Sequence, residues 1–190
     1  MFDAICAQAR HCNKEVLEPT IELAVEIARE GCEGRRIGTL LTVGDAAAVL
    51  EHSRPLILDP LFGHPDEVKR ITDPNLRGTV KVLAQLDGAF IISDTGVVIS
   101  ACRYLDAKAS DLELPLGLGS RHLAAASITR VTKALAIVVS ESALVRVFDN
   151  GNLIAEVLPE LWLLSRYNVQ LRAPFTEEHI RDLTVLVKRP

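Results

Sequence analysis

"LDGAFIISDTGVVISA", residues 86–101, holds two apolar runs, 89–93 and 97–101, on either side of Asp94-Thr95-Gly96. Two short apolar runs around a three-residue turn predict a β-hairpin. Just upstream, Asp73-Pro74 predicts a helix start, with Asp as cap and Pro in the first position. Leu76, Val80 and Leu83 then share that helix's inner face. A helix feeding a hairpin already places this stretch in an α/β chain.

The same pattern extends in both directions. Residues 1 to about 33 read helical, with Leu17, Ile21, Ala24 and Ala28 on one face and a break expected near Glu18, before Pro19. "RRIGTLLTVGD" (35–45) and "PLILD" (55–59) read as strands, "DAAAVLEHS" (45–53) as a helix, and 61–75 as a turn-rich loop. After the hairpin comes a loop from Arg103 to about Gly119, then a helix from Ser120 to about Lys133 and a buried strand at 135–140. A second hairpin at 144–157 turns on Asn150-Gly151. Helices are expected near 159–167 and 176–183, then a strand at "TVLVK". The expected fold is α/β, a mixed β-sheet flanked by helices on both faces. The expected division is a helical segment (1–34), a core domain (35–158) and a C-terminal extension packed on it (159–190).

Composition sets outer limits. The chain has 190 residues, 48% of them hydrophobic but only 4% aromatic, so Leu, Val, Ile and Ala must make the core. A chain this long buries roughly 70% of its unfolded surface and needs no metal or disulfide to fold. The net charge of −4 argues against a nucleic-acid partner, which favours a basic surface. Cys6, Cys12, Cys32 and Cys102 show no CxxC or zinc spacing, which points to a reduced, cytoplasmic setting. Cys6 and Cys12 read as ordinary helix residues and Cys102 as core; His11, His52, His64 and His179 read as surface, and Trp162 as an anchor for the C-terminal helix. No run is long enough to span a membrane, so no membrane partner is expected.

Three stretches carry chemistry. "GLGSRHLAAASIT" (117–129) is a glycine-rich turn feeding a helix start, where free N–H groups and the helix dipole favour an anion. Ser120 can cap the helix or donate, Arg121 presents a fork of donors matched to phosphate, and His122 can donate, accept or bind metal. The plain alternative is a helix cap with two solvated side chains. Asp87-Gly88 offers a carboxylate beside a glycine that admits close approach, or simply a turn. "VVSES" (138–142) adds a hydroxyl and a carboxylate, or simply turn chemistry.

Taken in order, Asp87-Gly88-Ala89, "CRYL" (102–105), Gly119-Ser120-Arg121-His122 and "VVSES" resemble the diadenylate cyclase (DAC) family. The resemblance covers about residues 36–157. With its helical start the chain looks most like the stand-alone cyclases common in archaea, in which this domain sits at the C-terminal end. The resemblance implies an enzyme that joins two ATP into cyclic di-AMP (c-di-AMP) with release of two pyrophosphates. It implies a divalent metal, Mn²⁺ ahead of Mg²⁺ or Co²⁺, and face-to-face dimers within a homo-oligomer. Asp87 would bind metal and help activate the ribose 3′-hydroxyl, with His122 as a metal neighbour and Glu141 supporting the metal site. Gly88, Ala89 and Gly119 would lie along the nucleotide, Leu105 on the adenine. Ser120, Arg121 and His122 would hold the triphosphate, and Ser140 would touch phosphate. Position 123 is Leu where many members carry a second arginine, which leaves Arg103, Arg130 and Lys133 as candidates to replace it. The alternative is a nucleotide-binding regulatory domain weakened in catalysis. A P-loop or Rossmann site is disfavoured: "GLGSRH" lacks the P-loop lysine, and no acidic residue follows a strand at the Rossmann spacing.

Overall fold

The computed structural model describes residues 2–32, 34–109, 112, 115, 117–159, 175–180 and 183–188. The apolar runs 39–43, 89–92 and 135–139 become strands buried on both faces. The strands are β1 (Thr39–Val43), β2 (Ser53–Pro55), β3 (Ala89–Ile92), β4 (Val98–Leu105), β5 (Leu135–Val139), β6 (Val145–Asp149) and β7 (Asn152–Val157), in a sheet of order β2-β4-β3-β1-β5-β6-β7. β1 and β3 are parallel, and every other adjacent pair is antiparallel. The sheet is therefore mixed, as expected.

Helices cover both faces. The helices are α1 (Phe2–Gln8), α2 (Lys14–Glu30), α3 (Ala46–Glu51), α4 (Pro74–Leu83) and α5 (Ser120–Val131). Alternation along each strand divides the core. Leu40, Ala89, Ile91, Ala136, Val138 and Phe148 meet Val49 of α3 and Ala125, Ala126 and Ile128 of α5. The intervening residues, Leu41, Phe90, Ile92 and Ile137, are also fully buried and so face the α2 side. On α2, Leu17, Ile21, Ala24 and Ala28 are all buried, as the 3.6-residue period requires. Each such Leu or Ile contributes roughly 1.5–3 kcal/mol on burial. α4 is tied to α2 by Arg77–Glu26 (2.6 Å) and Lys81–Glu30 (2.9 Å).

Several local expectations are corrected. The helical break falls at residues 9–13, not near Glu18. Asn13 caps α2, accepting from the Glu15 N–H at 3.1 Å, and Pro19 sits inside the helix. So close to the N-terminus Pro19 costs a single intrahelical bond, the one to the Glu15 carbonyl. The reversal at 9–13 also brings Cys6 and Cys12 to a Cα–Cα distance of 5.3 Å, and they are disulfide-bonded. They are not ordinary helix residues, and their pairing runs against the reduced setting the cysteine spacing suggested. "PLILD" is not a strand: β2 ends at Pro55, whose ring cannot donate to a ladder, and Ile57 and Leu58 are exposed. β4 runs on through Arg103–Leu105, held by β2, so the loop begins later than expected.

Residues 1–159 and 160–190 are separate compact units. In the second, β8 (Phe175–Ile180) and β9 (Leu183–Lys188) form an antiparallel hairpin. The helix expected at 176–183 is corrected: residues 176–180 and 183 belong to strands, while "TVLVK" is a strand as expected, its β-branched Thr184, Val185 and Val187 favouring a pleated surface. The helix expected at 159–167, with Trp162, lies outside the described residues. No helix among the described residues is long and apolar enough to cross a membrane.

Candidate active site

The parallel pairing of β1 with β3 sets Leu40 beside Ala89, and the antiparallel pairing of β1 with β5 sets Thr39 beside Val139. This brings the Asp87-Gly88 turn, the start of α5 and the Ser140-Glu141 turn to one end of the sheet. Between the first two lies a cavity of about 680 Å³, within the range of small-ligand pockets. Leu40, Leu56, Leu105 and the Tyr104 ring give it an apolar wall; Asp87, Arg103, Lys108, Ser120 and Arg121 add polar groups.

Gly88 has a φ of +108°, and a Cβ there would lie 2.6 Å from the Cys102 carbonyl carbon. The glycine is thus required by close approach of β4, where Cys102 itself has a φ of +54° and the β3–β4 register slips between Ala89 and Ile91. Asp87, just before β3, has a side chain that is 90% exposed.

α5 begins at Gly119, the N-cap, with no side-chain cap; Ser120 is the first helical residue and not the cap. The N–H groups of His122 and Leu123 reach the Gly119 carbonyl, so those of Ser120 and Arg121 have no acceptor within the helix. Ala124 and Ser127, one turn on, line the cavity with small side chains.

Arg121 links two carboxylates: Nη1 lies 3.2 Å from Glu141 Oε1 and Nη2 lies 3.7 Å from Asp87 Oδ1. All three groups are substantially exposed, so these pairs are weak and exchangeable. Ser140 is engaged locally: its Oγ accepts from the Ser142 N–H at 3.2 Å and lies 2.9 Å from Ser142 Oγ.

The structure places His122 apart from this group. It is 7% exposed, packs edge-on against Phe148, and its Nε2 lies 3.1 Å from Arg146 Nη1. Burial, then the positive charges of Arg146 and Arg121, hold the imidazole below the ordinary histidine range. A neutral ring whose Nε2 accepts from Arg146 carries its proton on Nδ1, which has no partner among the described residues. No three His, Cys, Asp or Glu side chains converge on a metal-sized site among the described residues. Asp87 and Glu141 meet through Arg121, while His122 faces β6. A hard divalent cation that keeps water and phosphate oxygens in its shell needs only one or two protein carboxylates, and exposed Asp87 on the cavity wall suits that role.

Leu123 lines the cavity where a second arginine stands in many family members. Of the three possible replacements, Arg103 lines the cavity but donates to Ser53 and Leu50, and Arg130 bonds Asn150 at 2.9 Å. Lys133 lies just beyond the far end of α5, its N–H on Asp45. Sequence reasoning missed Leu40, Leu56, Tyr104 and Lys108 as cavity residues. Their strand or loop contexts look ordinary, and only pairing between distant strands gathers them.

The family model for the DisA bacterial checkpoint controller nucleotide-binding (DAC) domain matches residues 26–153. A diadenylate cyclase of Methanocaldococcus jannaschii is 48% identical over 152 residues, covering 80% of this chain and 48% of that protein. A diadenylate cyclase of Haloferax volcanii is 43% identical over 148 residues, covering 77% of this chain and 54% of that protein. The chain thus spans about half the length of the curated relatives it matches. Among solved structures, a cysteine double mutant of DacA from Staphylococcus aureus aligns with a TM-score of 0.54 at 24% identity, over 80% of this chain and 95% of that one. A hypothetical membrane-spanning protein from Bacillus cereus also gives 0.54, at 21% identity, over 73% and 62%. At these identities the two structures show the shared fold and nothing more.

Proposed function

The chain belongs to the diadenylate cyclase (DAC) family, and from that premise we propose that it condenses two ATP into c-di-AMP and two pyrophosphates across a symmetric pair of protomers. The observation that carries this is the cavity, which joins an exposed carboxylate, a helix N-terminus with Arg121, and an apolar wall. The adenine packs on Leu40, Leu56 and Leu105. The triphosphate meets the Ser120 and Arg121 N–H groups and the Arg121 guanidinium. The 3′-oxygen of one nucleotide bonds to the α-phosphorus of the other, the α–β anhydride bond breaks, and the hydroxyl proton is released. Such a transfer depends on positioning and charge stabilisation rather than covalent help.

Asp87 would hold a divalent cation, Mn²⁺ in first place, which when bound would supply charge to offset that of the phosphates. Arg121 exchanges its weak carboxylate partners for phosphate, which leaves the Asp87 carboxylate unpaired on the cavity wall. Arg121 and Glu141 lie together, so Glu141 acts on Arg121 first. His122 sits behind the helix, and its contribution is to packing and to Arg146. ATP as substrate supports a cytoplasmic setting despite the Cys6–Cys12 disulfide, with no nucleic-acid or membrane partner required.

One cavity takes one nucleotide, and the two ring-closing bonds are the same step. The productive unit is therefore a two-fold pair. The deciding experiment is incubation with ATP and Mn²⁺ and chromatographic detection of c-di-AMP. Asp87→Asn is expected to keep the fold and abolish product. Mixed into wild-type oligomers, it should lower activity more than in proportion to its fraction. ATP binding without product overturns the cyclase reading in favour of a regulatory nucleotide-binding domain. A linear loss in verified mixed oligomers removes the pair.

A further inference from the structure

Gly38 is a buried glycine directly before β1, and its φ is not in the left-handed region. Backbone conformation therefore does not demand a glycine. The demand is steric. A Cβ built at position 38 would lie 2.7 Å from Arg121 Nη1, 3.2 Å from Arg121 Cζ and 3.3 Å from Glu141 Cγ. These three nearest atoms all belong to the Arg121–Glu141 pair, whose arginine lines the cavity. Sheet register explains the meeting: Thr39 pairs with Val139, so the residue before β1 lies beside the turn after β5 that carries Glu141.

The contact under 3 Å is with the tip of a long side chain, which can swing away at little cost to the fold. Swinging away, however, means leaving Glu141 and the reach of Asp87. We infer that Gly38 is a positioning residue for Arg121: its missing side chain leaves the slot in which the guanidinium rests against Glu141 with Asp87 in reach. Gly38 touches no substrate in this scheme and acts only through Arg121. The effect on turnover rests on the cyclase reading; the effect on where Arg121 lies does not.

The test is a double-mutant cycle of wild type, Gly38→Ala, Arg121→Ala and the double variant. Each protein is measured for melting temperature, for kcat and KM in c-di-AMP formation, and for affinity toward a non-cleavable ATP analogue. Gly38→Ala is expected to keep the wild-type melting temperature and to lower kcat/KM by about 10²-fold, the scale of an ångström-sized misplacement of a reacting group. In the Arg121→Ala background the same substitution should change nothing further. Wild-type kinetics in Gly38→Ala, an equal loss in both backgrounds, or a lowered melting temperature in both would each overturn the inference. Should wild type make no c-di-AMP, the cyclase reading fails, and the cycle read in analogue affinity still decides the role of Gly38.

Discussion

The two ends of α5 are built to opposite specifications. At its C-terminal end nearly every polar group is paired. Arg10, in the turn between α1 and α2, donates from Nη2 to the carbonyls of Thr129 (2.6 Å) and Thr132 (3.0 Å). The same guanidinium meets Asp149 Oδ1 at 2.9 Å, and the Arg10 N–H bonds Asp149 Oδ2 at 2.7 Å. Thr129 Oγ1 donates to the Ala126 carbonyl and accepts from the Gly151 N–H. A cation on the last carbonyls is where the helix dipole favours it. At the N-terminal end there is no side-chain cap, and the cation there, Arg121, rests in weak contacts with exposed carboxylates. One end is closed by its own protein; the other leaves donors for something else. A helix fixed at one end can present loosely held groups at the other in a defined place, which binding and catalysis require. The disulfide Cys6–Cys12 closes the turn that carries Arg10, so the anchor is itself braced.

The largest expected effect tests the open end. Arg121→Ala should remove about 2–4 kcal/mol of transition-state stabilisation, the scale of a lost preorganised donor, with the melting temperature unchanged. Unchanged kinetics would collapse the contrast, since the exposed cation would then be idle. Arg10→Ala strikes the closed end. It strands Asp149, only 3% exposed, and two helix carbonyls. A fully buried broken pair costs more, but Arg10 is one-third exposed, so about 2–3 kcal/mol of folding stability is expected in urea titration. Loss of activity without loss of stability in this variant would show that the two ends are not separate in function. Thr129→Val keeps the shape and leaves the Gly151 N–H unpaired, for about 1 kcal/mol.

The smallest effect concerns His122, midway between the two regimes. Its folded pKa is depressed, so the unfolded chain takes up a proton that the folded chain refuses. Below the unfolded value of about 6.5 this costs stability, and the loss grows as pH falls toward the folded pKa. Wild type should therefore lose more stability than His122→Gln between pH 7.5 and 5.5. Parallel pH profiles would mean that the ring is protonated in place and that the Arg146 contact is not a hydrogen bond to a neutral imidazole.

Local signals in the chain held wherever the structure is itself local. Asp73 accepts from the N–H groups of Asn75 and Leu76, as an N-cap ahead of Pro74 should. Asn150-Gly151 turns with both φ values positive, as a type I′ hairpin requires. The buried face of α2 follows its period. Local signals failed where partners decided the outcome. Pro19 stays helical where Asn13 caps the helix upstream and Arg77 of α4 donates to the Pro19 carbonyl, and "PLILD" keeps its pairing with β4 only at its first two residues. The motif residues Asp87, Ser120 and Arg121 were visible as chemistry from their types and order.

What the sequence determined by itself was therefore a set of elements, their faces, and a short list of groups suited to phosphate. Which of those groups meet was decided by tertiary structure. Arg121 and Glu141 stand 20 residues apart and Arg121 and Asp87 34, yet the pairing of β1 with both β3 and β5 brings all three to one corner. The same pairing turns Gly38 into the floor under Arg121 and makes Leu40 a cavity wall. His122, next to Arg121 in the chain, goes the other way, because adjacent residues on a helix point about 100° apart and the sheet already holds a place for its ring beside Phe148 and Arg146.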